Sequence, residues 1–309
     1  ELISPFSLAY LFSQIIGKKI KYDNGIFNVD RDDIKITKTY RRFVSLLIVK
    51  LEHEIGDNLK ELIKMQEKLD STIGRDRKLA AVGIFDYDKV KFPLVYKEIE
   101  PEDVKFIPLN HTIEYDFNYI CDNTEQGLKY SKLIKGRPIV WEQGDKSIMA
   151  MPPIINADRE SITQSTKNIL IDVTGDDLSA VLSITKSLIF NLQFLGHVFL
   201  VNPVFSDQSI KFKIEKNRPT FYIRREDVYN LLGVNLKISE IYSILKNLDY
   251  DVNKGYNMVS ARAPYYRQDI ISQVDIIDDI MRMYGVDKIS PSDPNLFTIG
   301  GYSRGSNII

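Results

Sequence analysis

The sequence predicts an α+β multidomain protein, in which a mixed α/β domain is followed by a small α+β domain. Its 309 residues are 44% hydrophobic, which is enough for more than one core. Strand-like and helix-like patterns alternate through the first two thirds of the chain. The pattern then changes to shorter units around "FSDQS" (205–209). The chain has 41 basic and 42 acidic residues, so it lacks the excess positive charge of a nonspecific nucleic-acid binder.

The hydrophobic pattern of the first domain separates its helices from its strands. "SPFSLAYLFSQIIG" predicts a short amphipathic helix. Ser4 caps its start, Pro5 lies in its first turn, and Gly17 ends it. "FVSLLIVKL" predicts a buried strand, and "NLKELIKMQEKLDSTIG" predicts a helix through apolar residues at three- and four-residue steps. "DLSAVLSITKSLIFNLQFLGHV" predicts the longest helix, whose apolar face stops at Gly196. Further strands are predicted at "LAAVGIFDYD", "FPLVYKEI", "VKFIPL", "RPIVWEQGDKSIMAMPPIIN" and "NILIDVTG".

The second domain is predicted from three further segments. "PTFYIRREDVYNLLG" and "KISEIYSILKNLDYDV" predict two helices. "NMVSARAPYYRQDI" leads into the acidic helix "YYRQDIISQVDIIDDIMRMYG" (265–285). The final segment, "PSDPNLFTIGGYSRGSNII", is rich in Gly, Pro and Ser and indicates a linker.

Composition also narrows the class of protein. The only cysteine, Cys121, excludes an intramolecular disulfide and a cysteine-rich zinc site, which favours a cytoplasmic protein. No apolar run approaches the roughly 18 residues of a membrane span, so no membrane association is expected. The sequence has no Walker-type or GxGxxG loop, and we do not expect this chain to bind ATP through a glycine-rich loop.

Four aspartates lie close together in the acidic segment 265–285. They are Asp269, Asp275, Asp278 and Asp279. On a helix the last three share one face, only about 5 to 6 Å apart, and repel each other unless a cation joins them. Mg²⁺ with oxygen ligands is one such cation. Arg267, Arg282 or simple solvation explains the same pattern, and spacing alone does not decide between them.

A second group of polar residues surrounds two strands. Pro152 and Pro153 make a rigid turn that is suited to the wall of a binding site, and Asn156 offers both a donor and an acceptor. In "IDVTG", Asp172 and Thr174 project from one side of a strand. Such a pair could recognise a phenolic hydroxyl or hold a water molecule. An ordinary turn with hydrogen-bonded caps is the alternative.

Five motifs resemble one family. "PYYRQDIISQVDIIDDIMRMYGVDKI" is similar to the signature of the phenylalanyl-tRNA synthetase beta subunit, which runs Pro, a short gap, Arg, Asp-Ile, an acidic helix and a Tyr-Gly turn. Upstream, "QEKLDSTIGRDRKLAAVGIFDYDKV", "KFIPLN", "MPPIIN" and "ILIDVTG" resemble the archaeal and eukaryotic type of that subunit, in the same order. Together the motifs cover nearly the whole chain.

The resemblance implies a domain organisation and a set of partners. Residues 1–40 would end an N-terminal domain, 41–206 would form an editing domain, 207–289 a winged-helix-like domain, and 290–309 a linker into a catalytic-like module. The family pairs two alpha with two beta subunits on tRNA(Phe), and the alpha subunit carries out ATP-dependent aminoacylation. We therefore do not expect this chain alone to charge tRNA.

The resemblance also implies two sites. In the family, the positions of the four aspartates are assigned to a Mg²⁺ site shared with the alpha subunit. The last two are usually Glu, so Asp278 and Asp279 are one methylene shorter. The editing domain hydrolyses tyrosine wrongly attached to tRNA(Phe). Asp172 and Thr174 would bind the tyrosyl hydroxyl, while Pro152, Asn156 and the backbone around Ala150 would line the pocket and position a water molecule. No catalytic residue is assigned.

This sequence departs from the family at four polar positions. Asp70 and Phe85 stand where the family usually has His, Ala150 where it has Ser, and Ser161 where it has Arg. Losing these donors would leave an attacking water poorly oriented, so we expect editing to be weakened or altered. The same changes favour an alternative class, a noncatalytic freestanding paralogue that binds nucleic acid or protein. A third possibility is a structural subunit whose acidic helix docks another chain.

Overall fold

A computed structural model describes residues 4–16, 27–207 and 218–290. The described residues form two compact units. The first runs to Arg218 and includes Pro264–Asp269, whereas the second contains Pro219–Ala263 and the described residues from Ile270 onward. The confirmed fold class is a mixture of helices and sheets.

The first unit contains the following elements in chain order: α1 (Pro5–Ile15), β1 (Phe27–Ile36), β2 (Phe43–Leu51), α2 (Asn58–Ser71), β3 (Ala80–Asp86), β4 (Leu94–Glu98), β5 (Lys105–Phe106), β6 (Tyr115–Asp116), α3 (Phe117–Asn123), α4 (Glu125–Tyr130), β7 (Ile139–Glu142), β8 (Ile148–Met151), β9 (Ile155–Asn156), β10 (Asn168–Gly175), α5 (Leu178–Leu192) and β11 (Gly196–Phe205). Ser4 caps α1 as predicted. Asp177 caps α5, since its side chain accepts the amide of Ala180 at 2.7 Å.

One large mixed sheet organises the first unit. In the described part of the chain it has the strand order β3-β10-β2-β11-β1-β4-β7-β8-β9. β1 pairs in parallel with β11 and β4, and the other neighbouring strands are antiparallel. β10 lies between β2 and β3, so its side chains are enclosed on both faces of the sheet.

The central strands separate two apolar cores. On one face, α2 and α5 cover a core that contains Leu47, Val173 and Leu188. The other face carries a second core, in which Phe85 and Trp141 are wholly buried. Because alternate residues of β10 enter alternate cores, Asp172 and Thr174 both lie on the Trp141 side.

The second unit is a small sheet covered by helices. Its elements are β12 (Thr220–Arg224), α6 (Arg225–Leu232), α7 (Ile238–Asn247), β13 (Asp251–Lys254), β14 (Met258–Arg262) and α8 (Gln273–Tyr284). The sheet order is β12-β14-β13, and α8 packs against α6, α7 and β12. Gly233 ends α6 with a φ of 70°, a left-handed conformation that glycine adopts without a steric penalty. The likeness to a winged helix stays a prediction.

Several element predictions were wrong. "TFYIR", predicted as the start of a helix, is strand β12, because its β-branched and aromatic residues pair with β14. "DYDV", predicted as a helix end, runs into strand β13. α5 ends at Leu192, before Gly196, and "GHVFLVNPVF" forms strand β11 beside β2. The acidic helix, predicted to include Ile270 and Ile271, begins only at Gln273. Predictions for Gly17 and for most of residues 290–309 fall outside the described residues.

None of the helices in the described ranges combines the length and the apolar composition that crossing a membrane requires.

Candidate functional site

Strand β10 places two polar side chains in the interior of the first unit. Asp172 pairs with Gly83 of β3 and Leu46 of β2, and Thr174 pairs with Ala81 and Val44. Directly paired residues project to the same face, so each polar side chain stands beside one small neighbour. A Cβ at Gly83 would lie 2.1 Å from Oδ1 of Asp172. Glycine at position 83 therefore makes room for the carboxylate.

Asp172 is a buried carboxylate with one strong partner. It is 2% exposed, and Nε1 of Trp141 donates to its Oδ2 at 2.9 Å. Its Oδ1 faces the Gly83 backbone without a hydrogen bond of normal geometry. Burial raises the pKa of Asp172 to about 6, against the opposing effects of Trp141, the Gly83 backbone and the charge of Arg41. One oxygen of this carboxylate is thus left to accept a further hydrogen bond.

Thr174 and Arg41 extend the buried polar group. Thr174 is 1% exposed, and its Oγ1 has no hydrogen-bond partner. Its carbonyl oxygen accepts Nη2 of Arg41 at 2.7 Å. Arg41 is itself 2% exposed, with Nε unpartnered, and burial lowers its pKa. Buried polar atoms without partners are uncommon in folded proteins, and several of them around one strand indicate a site for a ligand or for ordered water.

The remaining predicted residues lie on the hairpin of β8 and β9. Ala150 pairs with both Trp141 and Asn156. Nδ2 of Asn156 reaches the carbonyl oxygen of Ile84 at 3.5 Å, and Pro152 lies in the turn between the two strands. Trp141 thus connects the predicted groups, because it bonds to Asp172 and is paired with Ala150. In the described structure, neither a hydrogen bond nor a strand pair joins Thr174 or Pro152 directly to the other predicted residues.

Sequence reasoning missed the residues that connect the site. No motif singles out Trp141, yet its Nε1 donates to a carboxylate 31 positions away. Arg41 stands in the sequence beside Arg42 as a basic pair, but it is buried and donates to two carbonyl oxygens. A signal was available at Gly83, a lone glycine within a strand pattern, which often marks a close approach of other groups.

The four departures from the family have defined positions. Phe85 and Ala150 are wholly buried in the core around Trp141. Asp70 is buried and ion-paired, with its Oδ2 2.9 Å from Nε of Arg77. Burial raises the pKa of Asp70, while the charge of Arg77 opposes that shift. Ser161 offers its carbonyl oxygen to Nζ of Lys89 at 2.7 Å.

In the second unit, the three aspartates of α8 each have a partner within the chain. Oδ2 of Asp275 accepts the amides of Ile271 and Ser272 at 3.0 and 2.7 Å, and so caps its own helix. Asp278 pairs with Arg282 at 2.8 Å. Asp279, mostly buried, accepts the hydroxyl of Tyr250 at 2.6 Å.

Asp269 belongs to the first unit and is held by a neighbour. Arg267 donates Nε to Oδ1 at 2.9 Å and Nη2 to Oδ2 at 2.6 Å. Although burial opposes ionisation, this guanidinium keeps the pKa of Asp269 below its ordinary value. Across the described ranges, no three His, Cys, Asp or Glu side chains are grouped so as to hold a metal ion. Within α8, therefore, Asp275, Asp278 and Asp279 are not grouped as a preformed metal site.

Comparison with known proteins defines the class first. The family model described as the tRNA synthetase B5 domain matches residues 221–286, most of which lie in the second unit, while Pro264–Asp269 lie in the first. The chain therefore contains a segment of the tRNA synthetase B5 class.

Relatives then identify the particular family. The phenylalanine–tRNA ligase beta subunit of Sulfolobus acidocaldarius is 32% identical over 318 residues, which span 100% of this chain and 58% of the relative. That of Methanocaldococcus jannaschii is 34% identical over 312 residues, or 97% of this chain and 55% of the relative. These matches confirm the resemblance of the chain to the phenylalanine–tRNA ligase beta subunit of archaea. The chain spans about half the length of these curated relatives.

A solved structure agrees with that assignment. An N-terminal fragment of the phenylalanyl-tRNA synthetase beta subunit from Pyrococcus horikoshii superposes with a TM-score of 0.81 at 28% identity. The match covers 91% of this chain and 83% of that fragment. The mixed α/β fold is thus the fold of that fragment.

Proposed function

We propose that this chain is the editing and B5-containing part of a phenylalanine–tRNA ligase beta subunit, and that its first unit hydrolyses tyrosine from tRNA(Phe). One observation carries the proposal. Oδ1 of Asp172 and Oγ1 of Thr174 are buried, lie on the same face of β10 and have no hydrogen-bond partner. The names of the relatives support tRNA(Phe) as the nucleic acid, and the tyrosyl group is argued from these two polar atoms.

The chemistry of this pair suits a phenolic hydroxyl. At neutral pH Asp172 is mostly ionised, because its pKa of about 6 lies below the pH, and its Oδ1 would accept a hydrogen bond from the phenolic hydroxyl. Thr174 completes the hydrogen bonds of the phenolic oxygen. A phenylalanyl ester would bury both groups without a partner. Sites of this kind reject an analogue that lacks the hydroxyl by up to ~10⁴ to 10⁵-fold.

Hydrolysis requires little more than a positioned water molecule. The water attacks the carbonyl carbon of the ester, the bond to the 3′-terminal oxygen of the tRNA breaks, and that oxygen takes the proton. The products are free tyrosine and uncharged tRNA. Asn156 and the backbone at Ala150 would orient the water, and the Pro152 turn would form the wall beside it.

Two features support a slow reaction in this chain. Asp172 and Thr174 are almost completely closed off from solvent, so the substrate must open the site before it binds. Phe85 and Ala150 bring no polar group into the core around Trp141, and the carboxylate of Asp70 is committed to an ion pair. These positions carry polar side chains in the resembled family, which is why we propose weakened editing.

The remaining functional assignments are proposals for the whole protein. We infer a cytoplasmic heterotetramer of two alpha and two beta subunits that binds tRNA(Phe), with ATP used by the alpha subunit. The Mg²⁺ site at the four aspartates stays a prediction. Each aspartate already has a partner in this chain, but a carboxylate keeps further lone pairs beside one partner, so the alpha subunit would have to supply the remaining ligands of the ion.

A second candidate is the noncatalytic paralogue. The closed position of Asp172 and Thr174 and the apolar side chains at positions 85 and 150 favour it. Under this reading the first unit is a binding module, and the chain does not deacylate tRNA. Co-purification with a phenylalanine–tRNA ligase alpha subunit would favour the synthetase assignment instead.

Deacylation of Tyr-tRNA(Phe) tests the proposal. The wild-type chain is compared with Asp172→Ala and with Glu67→Gln, which removes an exposed carboxylate of α2. We expect wild type and Glu67→Gln to exceed the spontaneous rate and Asp172→Ala to approach it. Equal rates for wild type and Asp172→Ala would reject the proposal, and a rate as fast as that of an archaeal relative would reject weakened editing.

A further inference from the structure

The turn between α2 and β3 has an unusual backbone. Arg75, Asp76 and Arg77 have φ values of 49°, 53° and 63°, so three successive residues other than glycine are left-handed. Residues with a Cβ rarely adopt this conformation, and a run of three needs contacts that hold it. Backbone hydrogen bonds, such as that from the amide of Arg77 to the carbonyl oxygen of Asp70 at 3.2 Å, hold the turn together with the side chain of Arg77.

Arg77 joins three parts of the first unit. Its Nε donates to Oδ2 of Asp70 on α2 at 2.9 Å. Its Nη1 donates to the carbonyl oxygens of Pro153 and Ile154, at 3.1 and 2.9 Å, in the turn between β8 and β9. The guanidinium also lies over the ring of Tyr130, 4.5 Å from its centroid. The side chain of Arg77 thus connects the turn that follows Pro152 to α2.

Hydrogen bonds from neighbouring groups hold the carboxylate of Asp70 in place. Its Oδ1 accepts the amide of Val82 at 2.9 Å, and its Oδ2 also accepts Nε2 of Gln66 at 3.3 Å. The side chain of Asp70 is 6% exposed and that of Arg77 is 17% exposed, so water screens the pair little. The carboxylate therefore fixes where the guanidinium stands.

Arg41 connects the backbone of Arg77 to strand β10. Nη1 of Arg41 donates to the carbonyl oxygen of Arg77 at 3.2 Å, and Nη2 of Arg41 donates to that of Thr174 at 2.7 Å. We name Asp70, Arg77 and Arg41 the arginine bridge. It links β10, which carries Asp172 and Thr174, to the turn that leads to Asn156.

We propose that Arg77 is a positioning residue of the deacylase site, which sets the β8–β9 wall relative to β10 through the arginine bridge. This inference rests on the proposed function, because it concerns the same site. The contacts of the Arg77 side chain are with Asp70, Tyr130 and the turn after Pro152, and not with Asp172 or Thr174. It acts on the wall that would orient the water, and not on the groups that would bind the tyrosyl hydroxyl.

Arg77→Met and Arg75→Met make a matched test. Both variants remove an arginine side chain from the same left-handed turn, but Arg75 is exposed, and its side chain forms no hydrogen bond or ion pair with the described residues. We expect Arg77→Met to lower kcat for Tyr-tRNA(Phe) deacylation at least ~10-fold, with KM changed less than ~3-fold. A displaced β8–β9 turn would misplace the attacking water, whereas the groups that would bind the tyrosyl hydroxyl would stay in place. Arg75→Met should keep both constants near wild type. Equal kcat values for the two variants would overturn the proposal.

The ion pair is tested by a double-mutant cycle. Asp70→Asn removes the charge that orients Arg77, and it should lower kcat by a smaller factor than Arg77→Met. The double variant should be no slower than Arg77→Met alone, since both changes break one bridge. Independent, multiplying effects would contradict coupling. Arg77→Lys keeps the charge without the guanidinium fork and should recover only part of the rate.

Hydrogen exchange separates this inference from the proposed function. If wild type deacylates no faster than Asp172→Ala, the proposed function fails. The positioning role of Arg77 is then tested by the exchange rates of the backbone amides of residues 154–157. We expect these amides to exchange at least ~10-fold faster in Arg77→Met, because their wall loses its anchor, and to be unchanged in Arg75→Met. Unchanged exchange in Arg77→Met would refute the positioning role whether or not the chain is a deacylase.

Discussion

Replacing Asp172 with asparagine should stabilise the first unit while it removes the proposed activity. Asparagine has nearly the same shape as aspartate, and its carbonyl oxygen still accepts Nε1 of Trp141. The change removes a negative charge that is 2% exposed and has one strong hydrogen bond. Functional groups that are held in unfavourable surroundings commonly show this exchange of stability for activity.

The magnitude follows from the pKa of Asp172. Folding raises it from the ordinary value of 3.8 to about 6, a difference of roughly 2 units or about 3 kcal/mol. Because the folded state holds the proton more tightly, this stability is fully present below pH 3.8 and is lost as the pH rises through 6. Asparagine stays neutral throughout. Asp172→Asn should therefore be more stable than wild type by up to about 3 kcal/mol at pH 7.5, with no advantage at pH 3.5.

Trp141 provides the assay. It is the only tryptophan of the sequence and bonds directly to Asp172, so its fluorescence follows urea unfolding of the first unit and also reports the carboxyl proton. Wild type should show an emission change centred near pH 6 that Asp172→Asn lacks. Glu67→Gln, at an exposed site, controls for the loss of one charge. Lower stability of Asp172→Asn at pH 7.5, or wild-type emission that is constant between pH 5 and 7, would refute the reasoning.

Three further predictions follow from other contacts. Gly83→Ala should destabilise the first unit by about 1 to 3 kcal/mol in urea unfolding, because the new Cβ would stand 2.1 Å from Oδ1 of Asp172; unchanged stability would contradict the close approach. Tyr250→Phe should cost the second unit about 1.5 to 3 kcal/mol, since Asp279 loses a buried hydrogen bond of 2.6 Å, and a smaller loss in calorimetry would contradict that bond. Adding Mg²⁺ to this chain alone should leave its unfolding temperatures unchanged, because the described residues include no group of three His, Cys, Asp or Glu side chains placed to hold an ion; a rise that EDTA reverses would reveal a preformed site.

The sequence predicted elements whose own residues carry the pattern. Apolar repeats indicated α2, and alternation placed Asp172 and Thr174 on the same side of a strand. β12 was assigned to a helix because the helical pattern of α6 follows it without a break, and pairing with β14 decides the outcome. Strand β1 was missed because its polar residues alternate with few buried ones. Local pattern fails where a distant partner settles the conformation.

The site was less predictable for the same reason. Carboxylates at positions 275, 278 and 279 look like mutual neighbours in need of one cation, whereas Asp279 bonds to Tyr250, 29 residues before it. Asp275 instead caps its helix, a local role that the preceding Ser272 signals in the sequence. Contacts such as Trp141 to Asp172 and Arg77 to Pro153 bridge 31 and 76 positions. A single sequence carries no signal for them.

The most direct test of the account is the ratio of deacylation rates for Tyr-tRNA(Phe) and Phe-tRNA(Phe), measured for wild type and Thr174→Val. Valine has the shape of threonine but no hydroxyl, so it removes one of the two groups that would hold the phenol. The account predicts a wild-type ratio of at least ~100 and a fall of at least ~10-fold in the variant. A wild-type ratio near one, or a ratio that Thr174→Val leaves unchanged, would contradict recognition of the tyrosyl hydroxyl by β10.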